Sequence, residues 1–112
     1  ARVLVLGLTF KENTPDLRNT RVIDIVEELA EYDITVDVHD PWADPQEAHD
    51  LYGVDLVDEP DQGAYVGIVL SVAHRQFVEL GAEWIRAFGV PGAHVLYDLK
   101  YVLDRADSDL RL

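Results

Sequence analysis

Apolar and polar residues change rhythm several times along the chain, and each change marks an element. Val3-Leu4-Val5-Leu6 is a continuous apolar run closed by Gly7, the pattern of a strand buried on both faces. Val22, Ile23, Val26, Leu29 and Ala30 then recur at helical spacing, with Glu27, Glu28 and Glu31 on the other side, predicting an amphipathic helix over residues 20–32. Ile34-Thr35-Val36-Asp37-Val38 is rich in β-branched residues and stops at Asp40-Pro41, which predicts a second strand. Asp44-Pro45-Gln46-Glu47 carries a capping-box signature with proline at the first helical position, and Gly53 is placed to end that short helix. Residues 54–63 are acidic and polar, a loop with room for a short strand over residues 55–57. Val66 to Val72 predicts a third buried strand. Phe77, Leu80, Trp84, Ile85 and Phe88 mark a helix broken at Gly81, and His94 to Tyr97 predicts a fourth strand after the turn Val90-Pro91-Gly92. Beyond Lys100 the tail carries Val102 and Leu103, then turns acidic and is expected to fray.

Strands that alternate with helices argue for an α/β fold, a doubly wound, mostly parallel sheet of about 4–5 strands with helices on both faces, Rossmann-like in architecture. No internal repeat or linker interrupts it. A core strand beginning at Val3 reads as a domain cut from something longer.

Composition narrows the partners. The chain has 112 residues, of which 48% are hydrophobic, enough for one domain with a real core. Nine Lys and Arg face 22 Asp and Glu, a net charge of −13. Such a surface repels phosphate backbones and anionic membranes, so neither nucleic acid nor membrane is an expected partner. No apolar run reaches the roughly 20 residues of a membrane-spanning helix and no signal peptide opens the chain, so a cytoplasmic protein is expected. With no cysteine there is no disulfide, thiolate metal site or thiol nucleophile. The acids are 14 Asp and 8 Glu, while the bases are 7 Arg and 2 Lys. That bias fits a salt-adapted source, and it also fits an acidic domain from an ordinary one.

Doubly wound sheets bind ligands beyond the carboxyl ends of their strands. Leu8 to Asn19 is a twelve-residue loop after the first strand, where such loops usually run about 2–6 residues. It holds Lys11 and Arg18, and Arg21 follows, so three of the nine bases fall within residues 11–21. They precede a helix N-terminus, where free amides favour an anion. A second reading stays open here, in which Arg18 and Arg21 simply pair with Asp16, Asp24 or Glu12. The two lysines, Lys11 and Lys100, follow the first and fourth strands, which in a parallel sheet end at the same edge. Their convergence on an acidic protein points to a phosphate-bearing ligand. His39, His49, His74 and His94 lack metal-ligand spacing, and His74 is placed at a helix start. Gly7-Leu8-Thr9-Phe10 is not a dinucleotide fingerprint. Trp84 and Phe88 read as core, and Trp42 as a candidate interface residue.

The run Gly7-Leu8-Thr9-Phe10-Lys11-Glu12-Asn13-Thr14-Pro15-Asp16-Leu17-Arg18-Asn19-Thr20 closely resembles the opening of the C-terminal, UDP-binding domain of the UDP-glucose/GDP-mannose dehydrogenases. The likeness continues through Val38-His39-Asp40-Pro41 and Val72-Ala73-His74-Arg75-Gln76-Phe77 to Tyr97-Asp98-Leu99-Lys100. Asp40-Pro41-Trp42, Asp44-Pro45-Gln46-Glu47-Ala48 and the Asp98-x-Lys100 ending most resemble the branch that oxidises UDP-N-acetylhexosamines for surface polysaccharides. The resemblance implies that residues 1–112 form one nucleotide-sugar-binding domain, the C-terminal part of a longer oxidoreductase. Such enzymes oxidise the sugar C6 alcohol to a carboxylate with NAD and a catalytic cysteine. NAD would be held mainly by an N-terminal domain, a central region would make the homodimer or a higher assembly, and this chain alone would catalyse nothing. By the same likeness Phe10 and Lys11 contact the UDP-sugar, Lys100 and Tyr101 lie near the nucleotide, and Arg18 reaches toward NAD. Asp16 is spaced to hold Arg18. The alternative is a free-standing nucleotide or nucleotide-sugar binding module without chemistry. A receiver or flavodoxin domain fits less well, because the carboxylate cluster of the one and the Ser/Thr-rich phosphate loop of the other are missing after the first strand.

Overall fold

The computed structural model describes residues 1–18, 20–99 and 109–111. Strand β1 (Arg2–Leu6) is apolar from Val3 onward because it lies in the middle of the sheet and both its faces are covered. Leu4 and Leu6 point to one side, where they meet Ile68, Leu70, Leu96, Phe77, Ile85 and Phe88. Val5 points to the other and packs with Val22, Ile23, Val38, Ala48 and Val72. The period-two alternation of a strand thus divides one apolar run between two cores.

Helix α1 spans Val22–Glu31. It starts two residues later than the spacing predicts, because the Thr20 hydroxyl accepts the Val22 amide (3.2 Å) and donates to the Leu8 carbonyl (2.6 Å). Strand β2 is Thr35–His39, and helix α2 is Pro45–Tyr52. The Asp44 carboxylate accepts the Gln46 amide at 3.0 Å, and Gly53 ends α2 at φ 68°, as the sequence predicts. The short strand expected over residues 55–57 reduces to a single bridge between Val38 and Leu56. Strand β3 is Gly67–Leu70, shorter than the apolar run because Ser71 and Val72 turn over the end of β1. Helix α3 (Arg75–Arg86) breaks at Gly81, whose φ of 76° and ψ of −175° are not helical. Strand β4 is Val95–Asp98. Of the tail that the sequence expects to fray, residues 100–108, Val102 and Leu103 among them, lie outside the described residues, while β5 (Leu110–Arg111) pairs with β4. Asp109 anchors it, accepting the Leu96 amide (2.8 Å) and Arg86 (3.1 Å), and the Arg86 hydrogen bond, with the Leu96 amide, holds the Asp109 carboxyl below its usual range.

The sheet order is β2-β1-β3-β4-β5, parallel throughout. The α1 and α2 residues share one core with Val5 and Val38, while α3 packs on the opposite face. The order reverses direction between β1 and β3, so the connections from these strands leave to opposite faces and open a crevice at their carboxyl ends.

Candidate functional site

The backbone closes tightly under this crevice. Gly7 has φ +101°, and a Cβ placed on it would lie 2.6 Å from Val72 Cβ and 2.9 Å from the Val72 amide nitrogen. Only glycine admits that approach. The Ser71 hydroxyl bonds the Leu6 (3.0 Å) and Gly7 (2.7 Å) carbonyls, tying the end of β3 to the end of β1.

Above it, Asp40 organises the loop. Its side chain is wholly buried, and Oδ2 accepts the amides of Leu8 (2.6 Å) and Thr9 (3.0 Å) and His74 Nε2 (2.9 Å). Oδ1 accepts the amides of Trp42 (2.8 Å) and Ala43 (3.2 Å). Burial pushes the carboxyl up, but the hydrogen bonds from His74 and from the Leu8 and Thr9 amides outweigh it and leave it below the usual aspartate range. Thr9 Oγ1 lies 3.1 Å from His74 Nε2 and donates to the Lys11 carbonyl at 2.9 Å. One buried cluster from the ends of β1, β2 and β3 therefore shapes the segment carrying Phe10 and Lys11.

Phe10 is 54% exposed, although it is a large apolar side chain. With Lys11, Glu12, Arg21, Val22, Ser71 and Val72 it lines a cleft of about 180 Å³ at the switch point. Among the described residues neither Lys11 nor Arg21 is held in an ion pair, so both exposed cations remain available to an anion. Arg18 stands apart. It lines a separate hollow with Pro15, Asp16, Asp44, Glu47 and Leu51, and its side chain is 80% exposed. Asp16 Oδ1 accepts the Arg18 amide (2.9 Å) and Nε (3.3 Å), the pairing its spacing suggests. The amide bond, more than the guanidinium, holds the Asp16 carboxyl below its usual range. Lys100 and Tyr101 lie outside the described residues; β4, which leads to them, ends at the same edge as β1.

His74 stands at the start of α3, as the sequence predicts, and is fully buried there. Trp42, a candidate interface residue by sequence, turns inward: Nε1 donates to Gln76 (2.8 Å) and its ring stacks beside His74 at 6.2 Å. The sequence reading takes Asp40 as a strand stop and as part of the family motif, and gives it no role in the site. Its position directly after a strand and before a proline was the available signal, since such an aspartate commonly accepts nearby amides.

A dinucleotide cradle needs a tight glycine turn that runs straight into a helix. Here residues 8–21 separate Gly7 from α1, and Val72 occupies the space against Gly7, so these residues do not fit an NAD pyrophosphate. Two larger hollows, of about 460 Å³ near His39, Asp58, Glu59 and Trp84 and about 350 Å³ near His39, Asp40 and Asp58, bring together acids and no lysine or arginine, and the one of about 770 Å³ sets its single cation, Arg18, among Asp16, Asp44 and Glu47. An anionic ligand is favoured at the switch point by charge and topology together.

Comparison with known proteins gives the family. Residues 4–105 match the sequence profile of the UDP-glucose/GDP-mannose dehydrogenase family, UDP binding domain. The chain is 62% identical over 112 residues to a UDP-N-acetyl-D-glucosamine 6-dehydrogenase of Pseudomonas aeruginosa, covering 100% of this chain and 26% of that protein. It is 53% identical over 110 residues to the enzyme of the same name from Salmonella typhi, covering 98% of this chain and 26% of that one. Among solved structures, a UDP-glucose dehydrogenase from the hyperthermophilic archaeon Pyrobaculum islandicum superposes with a TM-score of 0.73 at 28% identity, over 98% of this chain and 24% of that one. The chain thus spans about a quarter of the length of the relatives it matches.

Proposed function

Because the chain belongs to the UDP-glucose/GDP-mannose dehydrogenase family, matching its UDP-binding domain, we propose that it binds the substrate within an NAD-dependent UDP-sugar 6-dehydrogenase. The parent enzyme would oxidise the C6 alcohol of a UDP-N-acetylhexosamine to a carboxylate for polysaccharide synthesis in the cytoplasm. The observation that carries this reading is the pair of exposed cations, Lys11 and Arg21, in no ion pair among the described residues, beside exposed Phe10 at the β1/β3 switch point. A diphosphate suits the cations and a base or sugar ring suits the aromatic face. The UDP-N-acetylglucosamine names of the two bacterial relatives favour an acetamido sugar over glucose.

Lys11 and Phe10 would contact the UDP-sugar, with Lys100 and Tyr101 near the nucleotide. Arg18, exposed and remote from that cleft, would reach toward NAD held by another domain of the same enzyme. The cysteine and the dinucleotide fingerprint that the chemistry requires would be supplied there too, in a homodimer or higher assembly. The cleft of about 180 Å³ is smaller than the roughly 300–1,000 Å³ of a complete ligand pocket, which suits a site completed by a second domain. The acidic, lysine-poor surface fits a salt-adapted source.

The test is an amide-shift titration of the chain with UDP. Perturbed signals are expected to cluster at residues 8–21, and Lys11→Ala is expected to weaken binding at least tenfold. Shifts clustered elsewhere, or unchanged affinity in a folded Lys11→Ala variant, would refute the assignment.

A further inference from the structure

The imidazole of His74 has both its nitrogens occupied, and the partners fix which one carries the proton. Nδ1 accepts the Asn13 amide at 3.0 Å, so it carries none. The proton is therefore on Nε2, directed at Asp40 Oδ2 (2.9 Å) and shared with Thr9 Oγ1 (3.1 Å), whose own hydrogen goes to the Lys11 carbonyl. Asn13 is pinned a second time, its Oδ1 accepting the Arg75 amide at 2.7 Å. It adopts φ 57°, in the left-handed region that residues other than glycine hold less readily, and these two hydrogen bonds support it there.

Thr9 and Asn13 thus bracket Phe10, Lys11 and Glu12, and both ends of the bracket are bonded to one imidazole. We propose that His74, as the neutral Nε2–H tautomer, is a positioning residue that holds the Phe10–Lys11 segment in the shape that receives the diphosphate of a nucleotide sugar. His74 touches no ligand in this arrangement. It acts through the Asn13 amide, while its hydrogen bonds with Asp40 and Thr9 fix the tautomer that leaves Nδ1 free to accept. This rests on the assignment of the cleft to UDP made above, and it deepens it.

A packing role alone would make any side chain of similar size between Trp42 and Phe77 equivalent. Two half-replacements separate the readings. In His74→Asn the side-chain oxygen falls near the place of Nδ1 and can accept the Asn13 amide. In His74→Gln the side-chain nitrogen falls near the place of Nε2 and can donate to Asp40, but the Asn13 amide loses its acceptor. Folded His74→Asn is expected to bind UDP within about threefold of wild type, and His74→Gln at least tenfold more weakly, with the amide signals of Phe10–Asn13 displaced in the free protein. Equal affinity in the two variants would overturn the proposal. So would imidazole ¹⁵N shifts showing His74 protonated at Nδ1 at neutral pH.

If either variant fails to fold, exchange of the Asn13 amide in wild type decides. Protection of this amide in an exposed residue supports the proposal, and exchange at the free-peptide rate overturns it. If wild type does not bind UDP at residues 8–21, the assignment of the cleft fails. The positioning role is then judged on the free-protein signals alone: displacement of residues 10–13 in His74→Gln but not in His74→Asn supports it, and equal displacement overturns it.

Discussion

The two halves of the β1–α1 loop hold their cations in opposite ways. Around Lys11 the backbone is anchored from beneath by Asp40, Thr9 and His74, all buried, and among the described residues the cation has no ion-pair partner. Around Arg18 the anchor is Asp16, on the surface, and the same carboxylate that orders the backbone also occupies the guanidinium. Buried hydrogen bonds lose no competition with water, so a shape built on them persists without using up the exposed charge. A surface pair orders little and is easily replaced by solvent. The first half is suited to wait rigidly for a ligand. The second is suited to swing toward one.

The largest test of that contrast is Asp40→Asn. The amide is isosteric but turns an N–H₂ group toward backbone N–H donors, whichever way it is flipped. Unfolding free energy in urea is expected to fall by about 2–4 kcal/mol, since each stranded buried donor costs about 1–3 kcal/mol. A loss below 0.5 kcal/mol would remove the distinction between the halves. The pH dependence gives the next effect. The Asp40 carboxyl sits below its usual range in the folded state, so its stabilising contribution is complete above the unfolded value of about 3.9 and fades as pH falls through the folded one. The stability gap between wild type and Asp40→Asn should therefore narrow below about pH 4, and a gap that widened there would reverse the sign assigned to Asp40.

Smaller effects are expected from the exposed half. Arg18→Ala should leave the unfolding midpoint unchanged and UDP affinity within about twofold, because the pair is solvated and distant from the cleft. A tenfold loss of UDP affinity would place Arg18 in the nucleotide site instead. Last, with a net charge of −13, the melting temperature should rise gradually toward molar KCl if the surface is salt-adapted. A melting temperature independent of KCl would remove that reading.

The elements were legible wherever burial imposes a period. The apolar run of β1, the glutamate-backed stripe of α1, the Asp44-Pro45 start of α2 and the Gly81 break in α3 all appear in the structure. The misjudged places lacked such a period. β5 is two residues whose strand character comes only from pairing with β4, and residues 55–57 keep a single bridge. The site was half legible. Lys11, Phe10 and the Asp16–Arg18 pair are local features of one loop, and unusual length and charge drew attention to it. Asp40 and His74 were not, because a buried polar residue is recognised by its partners, and these are remote in sequence.

Alternation and turn chemistry determine which residues form strands and helices, because those preferences act over a few neighbouring residues. They also concentrate scarce positive charge after the first strand. Only the tertiary structure decided that Thr9, Asp40 and His74 meet. Their contacts span 31, 34 and 65 residues of chain. They form because the order β2-β1-β3 places three strand ends side by side, in a register that no local preference encodes.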